Sequence, residues 1–67
     1  MTNSEKLKEM VAASGLKKSY IAERLNLSRS GYLKKENGKT EFVASEIQEL
    51  SKILSLSRAQ VNDIFLS

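Results

Sequence analysis

Cysteine, histidine, proline and tryptophan are absent from this 67-residue chain, and its aromatic residues are two tyrosines and two phenylalanines. Without cysteine there is no disulfide scaffold and no thiolate metal site; without histidine the usual zinc ligands and the usual general base are missing too. Carboxylates, serines and lysines remain, but no spacing sets a nucleophile beside a base. An enzyme is therefore not expected, and no metal or cofactor is implied. The longest uncharged apolar run falls far short of the roughly 18 residues of a membrane span. The N-terminal MTNSEKLKEM lacks a hydrophobic signal region, so a soluble, cytoplasmic chain is the expectation.

What is present is a mild basic excess, unevenly placed. Eleven Lys and Arg face eight Asp and Glu, a net +3 with a pI near 9.4, which permits nucleic-acid binding without demanding it. Between Lys17 and Lys39 lie Lys17, Lys18, Arg24, Arg29, Lys34, Lys35 and Lys39 against Glu23 and Glu36, about +5. One third of the chain thus carries more positive charge than the whole, and the remainder is slightly acidic. No repeat, low-complexity tract or linker divides the sequence. A chain of this length, burying only about 60% of its unfolded surface, makes a single domain with one core.

The apolar pattern is helical throughout. Leu7, Met10 and Val11 mark a first helix near 3–14, with Thr2 and Glu5 spaced as a capping box and Gly15 placed to close it. Ile21, Ala22 and Leu25 give a second near 18–25, ended by Asn26, which tolerates the left-handed conformation. Ser28 is a good N-cap for a third helix near 29–37, with Asn37-Gly38 as its stop. Val43, Ile47, Leu50 and Leu54 form the stripe of a fourth near 43–55. Ser57 to Gln60 is a capping box for a fifth near 58–65, with Val61, Ile64 and Phe65 as its apolar face. Leu16 with Ile21, Leu27 with Tyr32, and Leu56 with Val61 repeat one hydrophobic-staple spacing at three helix entries. No segment alternates as a strand would. The expected fold is all-α: five short helices, the second and third joined by a tight turn in helix-turn-helix geometry.

The stretch GLKKSYIAERLNLSRSGYLKKENGK resembles the helix-turn-helix of phage repressors and Cro proteins, the lambda-repressor-like group. A common pattern there, Thr-Gln-x-x-Leu-Ala-x-x-Leu-Gly-Ile-Ser-x-x-x-Ile-Ser-x-x-Glu-Asn-Gly-Lys, is matched without a gap at Ile21, Ala22, Leu25, Leu27, Ser28, Tyr32, Glu36, Asn37, Gly38 and Lys39. TEFVASEIQELSKILSL and the terminal IFLS resemble small Cro-like regulators of phages and prophages of Gram-positive bacteria. The departures are Lys17-Lys18 for Thr-Gln, Asn26 for the turn glycine, Lys35 at a usually apolar position, and Phe42 in place of a frequent proline. The resemblance implies a five-helix domain that reads the major groove with its third helix.

Projected at about 100° per residue, that helix puts Arg29, Ser30, Leu33, Lys34 and Asn37 on one face and Ser28, Gly31, Tyr32, Lys35 and Glu36 on the other. With Tyr32 inward as a core residue, its hydroxyl at the surface, the first set faces out. Arginine can give guanine two hydrogen bonds, serine can donate or accept, and lysine can donate to guanine or to phosphate. The resemblance places base contacts at the same residues, Arg29, Ser30 and Lys34, with Leu33 beside them to meet a thymine methyl or the core edge. For phosphate the candidates are Lys18, Asn37 and Lys39, then Lys17; Lys18 starts a helix, where the dipole favours an anion. Lys35 is expected to snorkel past the core edge. Gly31, costly in a helix, suggests close approach to the second helix or to DNA. The charges of Glu5, Lys6, Lys8 and Glu9, and those of Glu46 and Glu49, read as solvated faces.

The leading expectation is a sequence-specific regulator that occupies a double-stranded DNA operator. A homodimer on half-sites one turn apart would give it sufficient affinity. Phe65, Leu66 and Val61 are candidates for the dimer surface, although Val61 and Phe65 also fit the core. No small-molecule pocket is evident. The rival is an antirepressor-like protein-interaction module, in which an outward Leu33 would meet another regulator.

Overall fold

The computed structural model describes residues 1–66 and contains five helices: α1 (Ser4–Ser14), α2 (Lys18–Arg24), α3 (Arg29–Glu36), α4 (Ala44–Leu54) and α5 (Arg58–Phe65). No strand occurs among the described residues, and no helix is long and apolar enough to cross a membrane. Each expected helix is present with ends shifted by at most one residue, because local punctuation sets the boundaries. Gly15 (φ 73°) and Ser55 (φ 53°) close α1 and α4 in the left-handed region, and Asn26 (φ 59°) makes the turn after α2. Ser28 accepts from the Gly31 N–H at 3.0 Å. Ser57 and Gln60 exchange both capping-box bonds, at 3.1 and 2.8 Å.

Two local expectations are corrected. The N-cap of α1 is Asn3, whose Oδ1 accepts from the Lys6 N–H at 3.2 Å; Thr2 is buried instead. The Asn3 N–H donates to the Ile64 carbonyl at 2.6 Å, so contact with α5 decides which of two cap-competent residues starts the helix. Val43 is the N-cap of α4 and lies 53% exposed, so the stripe begins at the half-buried Ile47 and continues through Leu50 and Leu54.

Every helix contributes to one core: Leu7 and Val11 from α1, Ile21 and Ala22 from α2, Tyr32 from α3, Leu50 and Leu54 from α4, and Ile64 and Phe65 from α5. Burying a leucine or isoleucine contributes about 1.5–3 kcal/mol against the entropy of ordering. Phe42, between α3 and α4, joins them edge-on to both Tyr32 (6.3 Å between centroids) and Phe65 (5.4 Å). The staple leucines Leu16, Leu27 and Leu56 pack against this core, as does Val61. Phe65 is core; Leu66 is 70% exposed. α2 and α3 pack together across their short turn, α1 supports α3, α4 and α5, and the whole measures 27 × 23 × 20 Å.

Candidate functional site

α3 divides the basic segment into two kinds of charge. On its inner side Tyr32 and Glu36, one turn apart, are fully buried. The Tyr32 hydroxyl donates to Glu36 Oε2 at 2.9 Å, and the Lys18 ammonium at the start of α2 donates to Glu36 Oε1 at 2.8 Å. Both carboxylate oxygens are thereby satisfied, which makes burial of the charge tolerable. The Tyr32 hydroxyl is therefore buried rather than at the surface. Burial first, then its hydrogen bond to Glu36 and that carboxylate's charge, push its pKa far above the ordinary tyrosine range.

Two further cations of the segment are also engaged. Lys35 reaches Glu46 of α4 at 2.6 Å with both side chains largely buried, and Arg24 reaches Glu49 at 2.5 Å while also donating to the Tyr20 hydroxyl. Lys35 thus does pass the core edge, but to a carboxylate. Glu46 and Glu49, expected on a solvated face, are bridges; Glu46 also accepts from the Val43 N–H at 2.9 Å, capping α4. Within the N-terminal charged group, Lys6 reaches Asp63 of α5 at 3.4 Å.

On the outer side Arg29, Ser30, Lys34 and Asn37 are exposed, with Lys39 just beyond. Lys17, Arg29, Lys34 and Lys39 take part in no ion pair among the described residues. Leu33 is half-buried and packs against the core, so it stands at the edge of this face. A Cβ at Gly31 would lie 3.1 Å from Ser28 Oγ and would meet no atom of α2 within 4 Å, so the glycine does not mark a close approach to the second helix. Gly38 (φ 80°) turns the chain out of α3, where the Lys39 N–H donates to the Lys34 carbonyl at 2.9 Å, and a Cβ at Gly38 would press on Ser4 Oγ at 3.3 Å.

Of the eight expected contact residues, Arg29, Ser30, Lys34, Asn37 and Lys39 share one exposed surface around α3. Lys17 is exposed at the N-cap of α2, and Leu33 sits half under the surface. Lys18 alone is committed inward. A phosphate that drew it away would leave the Glu36 charge buried without its cation, a loss no exposed phosphate contact matches. Sequence reasoning put Glu36 on the inward side with Tyr32 but assigned it no task; the signal was a carboxylate one turn from a core tyrosine.

No family model matches this chain, and neither a curated protein nor a solved structure matches it.

Proposed function

We propose that this protein is a lambda-repressor-like, helix-turn-helix regulator that binds double-stranded DNA sequence-specifically, with α3 in the major groove. The observation that carries the reading is the sorting of charge. In the basic segment Lys18, Lys35 and the exposed Arg24 are each held by a carboxylate, while Lys17, Arg29, Lys34 and Lys39 meet no acid among the described residues. Cations left exposed beside hydrogen-bonding Ser30 and Asn37 suit base edges and phosphates together. Arg29, Ser30 and Lys34 read bases; Lys17, Lys39 and Asn37 hold phosphates, and Lys18 is a structural residue.

The sequence likeness to Cro-like regulators of Gram-positive phages supports the same assignment and a cytoplasmic place of action. A homodimer is part of the proposal. Half-sites lie about 34 Å apart, and a body 20–27 Å across, before its side chains are counted, brings two copies on consecutive turns close together. Leu33 is half-buried against the core, so it offers the rival protein-interaction reading less of the outward surface that would suit it.

The test is fluorescence anisotropy with a labelled duplex pool across a salt series. Binding should weaken linearly in log salt, with a slope set by the phosphates neutralised. The Arg29→Ala, Lys34→Ala double variant should lose discrimination among sequences; equal discrimination before and after would remove α3 from the reading role.

A further inference from the structure

A second surface lies on the other helices. α4 and α5 enclose an open groove of about 590 Å³, with Ile47 on one wall, Leu56 at its end and Val61 on the other, each only partly buried. Ala44 extends the apolar wall toward Val43, which is 53% exposed. The charged residues of the lining are Lys52 and Arg58, and no acid lines it. Neither cation enters an ion pair among the described residues. By contrast, the hollow between α1 and α5 balances Lys6 with Glu9 and Asp63.

Arg58 adds a local contradiction. It occupies the first turn of α5, where the helix dipole favours an acid and where a cation is unfavourable. Its charge adds to the positive end of the dipole at the mouth of the groove.

We propose that this groove docks an acidic amphipathic helix of another protein, with apolar side chains at i, i+3/i+4 and i+7 against Ile47, Leu56 and Val61 and flanking carboxylates on Lys52 and Arg58. Charge decides the occupant. A second copy docked groove to groove by two-fold symmetry would set Lys52 and Arg58 against the same charges, an arrangement that opposes association. The surface is built from α4 and α5, whereas the exposed face described above belongs to α3, so the inference stands apart from the assignment of α3 to DNA; because Val61 is also a candidate for the dimer surface, the test separates a second copy from a peptide partner.

The test uses a designed helical peptide of about 14 residues with leucines at those spacings and glutamate flanks, and its lysine-flanked counterpart. Both are titrated into the isotopically labelled full chain and followed by amide chemical shifts. The glutamate peptide should shift Ile47, Ser51, Leu56 and Val61 and bind at least about tenfold more tightly than the lysine peptide. The Lys52→Glu, Arg58→Glu double variant should reverse that preference. No binding, equal binding of both peptides, or shifts centred elsewhere would overturn the proposal. So would groove shifts that depend on protein concentration without peptide, which would assign the groove to a second copy.

Discussion

The two sides of α3 are drawn from the same eight residues and put to opposite uses. On the inner side Tyr32, Lys35 and Glu36 carry polar groups that are all satisfied internally, by Lys18 of α2 and Glu46 of α4 as well as by each other. On the outer side Arg29, Ser30 and Lys34 are exposed, and neither cation has an acid partner among the described residues. Composition alone would call the whole stretch a basic patch. The difference lies in partners: inner charges fix the attitude of α3 against its neighbours, and the outer ones remain available to a ligand.

Breaking the inner side should have the largest effect. Lys18→Met leaves Glu36 buried without its cation and should cost about 2–3 kcal/mol of stability, less than the roughly 3–5 kcal/mol of a fully buried pair because the Lys18 side chain is 36% exposed. Adding Glu36→Leu should recover much of that loss, since an apolar pair removes the stranded charge. Urea denaturation checks both, and a double variant no better than the single would discredit the pairing.

Next is the tyrosine. Tyr32→Phe should cost about 1–2 kcal/mol at neutral pH, because one buried carboxylate oxygen loses its donor. It should also alter alkaline stability. The folded pKa of Tyr32 lies above its ordinary value of 10.0, so its contribution is full below pH 10 and falls as the unfolded chain gives up the proton, by about 1.4 kcal/mol per pH unit. The phenylalanine variant should decline less steeply above pH 10. Parallel declines for the two proteins would place that hydroxyl in water.

The outer side should respond in binding and not in folding. Arg29→Ala should weaken the preferred duplex by about 1–3 kcal/mol and relax one base position, with stability unchanged within about 0.5 kcal/mol. The smallest effect belongs to Lys39→Ala: a uniform weakening across sequences and a salt slope lower by about 1. A variant of Lys39 that changed sequence preference would exchange the two roles.

The fold was legible wherever a local rule decided. Gly15, Asn26, Ser28 and Ser57 each act on their own few residues, so helix ends could be read within one position. Choices made by distant contacts were not legible. Thr2 and Asn3 are both competent caps, and the bond from Asn3 to Ile64, far along the chain, selects between them. Phe42 has no periodic neighbours to mark it as core, yet two aromatic rings hold it there. The outer face of α3 followed from helical projection once Tyr32 was set inward. The role of Lys18 did not, because its partner Glu36 lies 18 residues away on another helix.

The most direct measurement is selection of bound sequences from a random-duplex library at about 0.15 M salt, where nonspecific phosphate binding is weakened. The account predicts an enriched two-fold motif with half-sites about ten base pairs apart, lost when Arg29 and Lys34 are both replaced by alanine. An unenriched pool would contradict it.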